Sequence, residues 1–107
     1  MARTLITAPA SAKRGDLVEI RVLIGHPMET GFRSGDEGRL LPRDIITRFV
    51  CHYNDEPVFA ADLFPAISAN PYLAFYVRAT VSATLRFGWE GDKGFSQAET
   101  HVLSITG

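Results

Sequence analysis

Apolar and polar side chains alternate along most of this chain, and no other feature constrains its fold as strongly. Residues 17–24 carry an apolar side chain at every even position, with Glu19 and Arg21 between them. In residues 72–81 every odd position is apolar, while the even positions include Tyr76 and Arg78. Consecutive side chains of a β-strand point to opposite faces, so this period of two predicts strands with one buried face.

The same reasoning predicts about seven short strands and almost no helix. Turn sequences rich in Gly, Pro, Asn and Asp separate the runs. The predicted strands are residues 4–7, 17–24, 45–53, 58–64, 72–81, 84–90 and 95–106. Seven such strands in about 100 residues favour an all-β fold, an immunoglobulin-like β-sandwich. With 107 residues, 46% of them hydrophobic, residues 1–107 are expected to form one soluble globular domain.

A long loop follows the second predicted strand. Residues 25–43 hold four glycines and two prolines and show no sustained period. Loops longer than about 12 to 15 residues are uncommon in compact domains and are often functional or disordered. The apolar side chains of Met28, Phe32, Leu40 and Leu41 argue against free disorder.

The charge of the chain argues against nucleic acid or an anionic membrane as a partner. Eleven basic and twelve acidic residues give a net charge of -1, which produces no general attraction to phosphate groups. No apolar run has the length of a secretory signal or of a membrane span. Taken alone, these features predict a cytoplasmic protein.

Four residues offer the ligand types of a copper site, namely His26, Met28, Cys51 and His52. Cys51 and His52 are consecutive on a predicted strand, so their side chains point to opposite faces and cannot share one ion. We therefore expect no metal and no cofactor. Cys51 is expected to be a buried, unreactive thiol, since it lies on the apolar face of its strand.

No arrangement of residues predicts catalysis. The adjacent carboxylates of Asp36 and Glu37, and those of Asp55 and Glu56, lie in turns, where solvated charges are the ordinary explanation. The serines lack the sharp strand-to-helix turn of a hydrolase nucleophile. The sequence therefore favours a binding protein over an enzyme.

Several loops contain apolar residues where polar ones would be ordinary. Two explanations remain open. These side chains could cap the ends of the sandwich, or they could form a protein-binding surface, because aromatic residues and Met are enriched at interface cores. The residues with this character are Met28, Phe32, Leu40, Leu41, Phe64, Pro65, Ile67 and Tyr72.

Longer motifs in and around these loops resemble one family over nearly the whole chain. The resemblance is to the SoxZ family, the Z subunits of the bacterial sulfur-oxidation carrier. It is carried by AKRGDLVEIRVLI at 12–24, HPMETGFR at 26–33, PRDII at 42–46, ADLFPAISANPYLAFY at 61–76 and DKGFSQAE at 92–99.

The resemblance implies a non-catalytic, immunoglobulin-like subunit without a cofactor that pairs with SoxY. Family members support a SoxY arm whose single cysteine carries the intermediates of thiosulfate oxidation. The pair presents that arm to the Sox cytochrome, hydrolase and dehydrogenase components. Cys51 is not expected to be the carrier thiol, because a swinging arm needs a flexible terminus.

The resemblance also changes the expected location and suggests where a partner binds. Family members are exported folded with their partner, whose signal serves both, so a periplasmic location replaces the cytoplasmic one. The expected partner-binding residues are His26, Met28, Glu29, Phe32, Phe64, Ile67 and Tyr72. Two other classes stay open: an independent adhesion or ligand-binding module, and a small redox or metal protein.

Overall fold

The computed structural model describes residues 2–107 and consists almost entirely of β-strands. The strands are β1 Thr4–Thr7, β2 Ser11–Lys13, β3 Leu17–Ile24, β4 Ile46–Tyr53, β5 Glu56–Asp62, β6 Tyr72–Arg78, β7 Ala83–Gly91 and β8 Ser96–Thr106. Two single 3₁₀ turns, Asp36–Gly38 and Asp92–Gly94, are the helical elements of this part of the chain. Neither they nor any other helix in residues 2–107 has the length and apolar character needed to cross a membrane.

The strands form two sheets that pack face to face. A three-stranded sheet has the order β1-β3-β6, and a five-stranded sheet has the order β2-β8-β7-β4-β5. All neighbours are antiparallel except β2, which runs parallel to β8. The predicted all-β, immunoglobulin-like sandwich is confirmed.

The short strand β2 is the main difference from the predicted elements. Residues 9–16 contain Pro, Gly and charged residues and were expected to be a turn, yet Ser11 pairs with Ser104 and Lys13 with Thr106. Three residues are too few to show an alternation of apolar and polar side chains, so the sequence did not predict this strand. The strand forms because β8 has a free edge with which these residues can pair. The long loop consequently follows the third strand rather than the second.

The inward positions of both sheets form one hydrophobic core. Its largest fully buried side chains are Trp89, Phe49 and Phe87 of the five-stranded sheet. Phe59 of β5 and Phe75 of β6 stack with ring centroids 4.3 Å apart and so join the two sheets directly. Burying a side chain of this kind stabilises the fold by about 1.5 to 3 kcal/mol.

Three loops meet at one end of the sandwich. Residues 25–45, 63–71 and 91–95 all connect strands at the end where β3 and β7 finish and β4 begins. We call this the loop end. At the opposite end, the Tyr53 hydroxyl donates to the carbonyl of Val81 and accepts from the backbone N–H of Thr80 at 3.1 Å. That hydrogen bonding holds the 79–82 turn against the core.

The molecule is elongated along the strand direction. Its extents are 62 × 20 × 20 Å, and its Cα radius of gyration is 16.3 Å. The longest strand, β8, has 11 residues and spans about 36 Å at roughly 3.3 Å per residue. Most of the remaining length comes from the long loop, which is the longest connection between strands in residues 2–107.

Candidate partner-binding surface

The long loop is an ordered, irregular hairpin. The backbone N–H and C=O of Glu29 and Asp44 exchange two hydrogen bonds of 2.8 Å, the Leu41 N–H donates to the Arg33 carbonyl at 2.8 Å, and the Gly35 N–H donates to the Arg39 carbonyl at 2.7 Å. We call residues 29–44 the arm. Because its two halves pair with each other, the arm projects from the loop end as a defined element.

A bidentate ion pair fixes the base of the arm. The Arg43 guanidinium donates from Nε and Nη2 to the two carboxylate oxygens of Asp92, each at 2.8 Å. The Ile45 N–H donates to the same carboxylate at 3.1 Å. The hydrogen bonds from Arg43 make the largest contribution to lowering the pKa of Asp92, and the hydrogen bond from Ile45 lowers it further. Asp92 lies in the 91–95 turn, so the pair ties the arm to the end of β7.

A second ion pair lies within the arm and involves an expected partner-binding residue. Arg33 Nη2 donates to Glu29 Oε1 at 2.6 Å, and Arg33 Nε also approaches this carboxylate. The hydrogen bonding from Arg33 lowers the pKa of Glu29. Glu29 therefore already has an ion-pair partner within the arm, and its role in binding another protein stays a prediction.

Two expected partner-binding residues, His26 and Met28, lie beneath the surface. They are 6% and 4% exposed. His26 Nδ1 accepts a hydrogen bond from the Met28 N–H at 3.0 Å, and its ring meets Phe95 edge-on at 5.2 Å. The Met28 sulfur lies 3.2 Å from the N–H of Ile46. Both residues hold the start of the arm against the core, so any effect they have on a partner acts through the position of the arm.

The other four expected partner-binding residues are exposed and apolar. Phe32 is 78% exposed, Phe64 65%, Tyr72 57% and Ile67 41%. Their neighbour Leu63, at 4% exposure, seals this end of the core instead. Much of the surface of these side chains is not covered by the sandwich, which favours a protein-binding surface over capping.

Cys51 is fully buried between the two sheets. Its side chain is 0% exposed, and burial raises its pKa from 9.0 to about 12. His52 follows on the outward face of β4, as the strand register requires. Within residues 2–107, no three His, Cys, Asp or Glu side chains lie close enough to hold a metal ion. That the chain binds no metal stays a prediction.

One exposed apolar surface was not predicted from the sequence, namely the outward face of the three-stranded sheet. Leu5 and Leu17 are each 60% exposed there, and Tyr76 is 63% exposed. A signal is present in the sequence, because Leu17 and Leu23 occupy the positions of β3 that alternate with its buried face. Leu5, Leu17 and Tyr76 lie far apart along the chain, and only the folded sheet places them on one surface.

Comparison with known proteins decides the family. A family model described as "Sulphur oxidation protein SoxZ" matches residues 6–102. The chain belongs to the SoxZ family. As a SoxZ protein, it has a role in sulfur oxidation. The curated proteins include no significant match to its sequence.

Solved structures with the same fold include proteins of different function. The sulfur carrier protein SoxY from Chlorobium limicola f thiosulfatophilum matches with a TM-score of 0.68 and 16% identity, over 96% of this chain and 78% of that one. A superoxide reductase (neelaredoxin) from Ignicoccus hospitalis matches with a TM-score of 0.78 and 16% identity, over 98% of this chain and 82% of that one. At this identity the matches show the fold of the SoxZ protein, and its function rests on the family.

Proposed function

We propose that this SoxZ protein is the non-catalytic scaffold subunit of a sulfur-carrier heterodimer in thiosulfate oxidation. It binds SoxY, whose cysteine arm carries the sulfur intermediates, and it uses no cofactor. The family match over residues 6–102 is the observation that carries the proposal. Through SoxY, the heterodimer meets the Sox cytochrome, hydrolase and dehydrogenase components.

The state of Cys51 supports the assignment of the carrier thiol to the partner. Cys51 is the single cysteine of the chain, it is fully buried, and its pKa of about 12 keeps it a thiol at neutral pH. Sulfur transfer needs an accessible thiolate as the nucleophile. The reactive sulfur must therefore come from another chain.

The exposed aromatic residues of the loop end support a role in binding. Phe32 lies on the projecting arm, and Phe64 and Ile67 lie on the connection between β5 and β6. A few aromatic anchors usually carry most of the energy of a protein interface. Removing Phe32 or Phe64 should therefore weaken binding of SoxY or of the downstream enzymes.

The test is to purify the protein with SoxY and to measure affinity for Phe32→Ala and Phe64→Ala. Each truncation should cost about 2 kcal/mol, roughly 30-fold in Kd, with an unchanged unfolding temperature. Val81→Ala, at a 40% exposed apolar residue of the opposite end, is the matched control and should bind normally. Normal affinity of both Phe variants for SoxY and for the downstream enzymes would contradict the assignment of Phe32 and Phe64 to a partner-binding surface.

The same preparation tests the function itself. If the wild-type protein elutes alone and does not bind SoxY, the carrier assignment fails and an independent adhesion or ligand-binding module becomes the better explanation. A sulfur adduct found on Cys51 by mass spectrometry would contradict the scaffold role.

We also propose that the protein works in the periplasm and reaches it bound to its partner. Fractionation of cells that express both chains should then place the protein in the periplasm. Removing the signal of SoxY should leave both chains in the cytoplasm, and continued export of this chain would contradict shared export.

A further inference from the structure

His26 is a buried, titratable residue at the point where β3 ends and the chain turns toward the arm. Its backbone N–H donates to the uncharged amide of Asn70, at Oδ1 and 3.0 Å, and the Asn70 N–H donates back to the His26 carbonyl at 2.8 Å. The preceding residue, Gly25, donates to the backbone carbonyl of Arg3 at 2.7 Å. The ring itself packs edge-on against Phe95. The backbone is thus fixed on both sides, and the ring cannot turn away without breaking these contacts.

One hydrogen bond determines which ring nitrogen of His26 carries the proton. The Met28 N–H donates to His26 Nδ1 at 3.0 Å. A nitrogen that accepts a hydrogen bond holds no proton of its own, so the neutral ring has its proton on Nε2. In a charged imidazolium both nitrogens are donors. The hydrogen bond to Met28 therefore exists only while the ring is neutral.

The same hydrogen bond supports an unusual backbone conformation at Met28. This residue has a φ of 51°, in the left-handed region, which a non-glycine residue adopts only where its surroundings hold it there. Glu29, the first residue of the arm, follows directly and exchanges backbone hydrogen bonds with Asp44. Loss of the His26 acceptor therefore removes a contact that sets how the chain enters the arm.

The other ring nitrogen of His26 faces the last residue of the arm. Nε2 lies 3.7 Å from Asp44 Oδ1, too far for a hydrogen bond but close enough for the carboxylate to attract a charged ring. The second oxygen of Asp44 lies 3.9 Å from Lys93 Nζ. A neutral ring leaves Asp44 to Lys93, whereas an imidazolium competes with Lys93 for it. The two ends of the arm thus depend on the charge of one ring.

Two other carboxylates near this site keep their charge when histidine titrates. Asp92 of the 91–95 turn interacts electrostatically with His26, but the hydrogen bonds from Arg43 are the main cause that lowers the pKa of Asp92. The pKa of Glu29 is lowered as well, by its hydrogen bonding to Arg33. A lowered pKa means that the stability from these pairs is lost only as the pH falls below the ordinary carboxylate range. Both pairs therefore stay intact at pH 5.

Of the three histidines in the chain, only His26 connects to the arm. His52 lies on the outward face of β4. His101 lies on β8, where its Nε2 is 2.8 Å from the Pro9 carbonyl oxygen. Histidine is the side chain whose charge ordinarily changes between pH 5 and 8. A response of the arm to pH in this range therefore has one source among these three residues.

We propose that His26 is a pH-sensitive latch for the arm. At neutral pH the uncharged ring accepts from the Met28 N–H and holds the start of the arm. When Nδ1 takes a proton from solvent, it becomes a donor that faces another donor, so the Met28 N–H is released. The imidazolium then attracts Asp44 in competition with Lys93, and both ends of the arm loosen while the sandwich stays folded. The inference concerns the arm itself and holds whatever partner the arm contacts.

The test measures hydrogen exchange of residues 29–45 at pH 7.5 and at pH 5, expressed as protection factors so that the pH dependence of the exchange chemistry is removed. In the wild type, protection of the arm should fall at least about fivefold at pH 5, with β3 and β7 unchanged. His26→Asn keeps an acceptor, since Asn side chains accept from the N–H two residues on, but it cannot titrate. Its arm should be equally protected at both pH values. His52→Asn is the matched control and should respond as the wild type does.

Two further measurements test the latch even if His26→Asn does not fold. Asp44→Asn removes the carboxylate that favours the charged ring, so the loosening of the arm should move to lower pH. Nitrogen-15 NMR of the wild-type His26 ring should show the proton on Nε2 at pH 7.5. The latch is overturned by any of four results: an arm equally protected at both pH values, a proton on Nδ1 at pH 7.5, a pH response that persists in His26→Asn, or a transition that does not move in Asp44→Asn.

Discussion

At the scale of single residues, burial decides what the one cysteine can do. At pH 8, a thiol with a pKa of about 12 is ionised in only about one molecule in 10,000. Thiol chemistry therefore requires either a much higher pH or an opening of the sandwich. The ionisation and the reactivity of this residue are set by its place between the sheets and not by its neighbours in the chain.

We predict that Cys51 resists alkylation in the native protein. Iodoacetamide at pH 8 should modify it at least about 100-fold more slowly than in the guanidinium-unfolded chain. Since the folded pKa lies above the ordinary one, the native rate should increase steadily from pH 8 to pH 11 as the thiolate fraction grows. Cys51→Ala should keep thiosulfate turnover in the reconstituted system. Rapid alkylation of the folded protein at pH 8 would contradict this account.

A second residue-scale constraint is the close approach of the backbone at Gly91. A Cβ added there would lie 2.6 Å from the carbonyl oxygen of Ile45 and 3.0 Å from the Cα of Ile46. Both are backbone atoms at the point where the arm leads into β4, and they cannot move aside as a flexible side chain would.

Gly91→Ala should therefore destabilise the protein by about 1 to 3 kcal/mol, the usual cost of overpacking. Gly88→Ala in the same strand is the control, because its Cβ would meet Val50 Cγ1 at 3.7 Å, an ordinary contact. Urea unfolding of both variants measures the difference. Equal stability of the two variants would show that the backbone at residues 45 and 46 can shift.

At the scale of elements, the arm is a hairpin without a core of its own. Most of its side chains are exposed, so backbone pairing and the Arg43–Asp92 ion pair hold it in place. Such segments have low local stability and open more readily than the sheets they extend from.

We predict that Asp92→Asn loosens the arm while leaving the sandwich folded. The neutral amide loses the charge of the bidentate pair with Arg43, and Ile45 loses a charged acceptor for its N–H. Hydrogen exchange of residues 29–45 should become several-fold faster, with the β3 and β7 amides unchanged. Asp62→Asn removes the exposed pair with Arg48 and should leave exchange in the arm at the wild-type rate. Unchanged exchange in Asp92→Asn would show that backbone pairing alone fixes the arm.

At the scale of the whole molecule, the arm determines the shape. A compact chain of this length has a radius of gyration of about 13 Å, whereas the value here is 16.3 Å. The excess length lies at the loop end, where Phe32 is carried away from the sandwich.

Small-angle scattering of the monomer should therefore give a maximum dimension of about 60 Å. Replacing residues 31–42 by a short turn should reduce that dimension by about 20 Å, since each half of this hairpin has about six residues at roughly 3.3 Å per residue. The unfolding temperature should change little, because those residues contribute little to the core. A wild-type particle no longer than the sandwich would mean that the arm folds back in solution.

Local patterns in the sequence are enough to predict seven of the eight strands, their buried faces and the family. Period-two alternation is local, so it identified both β3 and the buried row of Phe49, Cys51 and Tyr53 without any knowledge of their neighbours. The long motifs are likewise continuous stretches of chain, so they carry the resemblance to the SoxZ family that the match over residues 6–102 confirms.

Which loop residues lie on the surface, and which sheet face carries exposed apolar residues, depend on contacts made in the folded protein. His26 and Met28 look in the sequence like the exposed Phe32, but long-range contacts with Phe95 and Ile46 bury them. The row from Leu5 to Tyr72 joins residues 67 positions apart. The parallel pairing of β2 with β8 joins segments that are still farther apart along the chain. Such features depend on contacts between distant segments, and a local pattern carries no information about them.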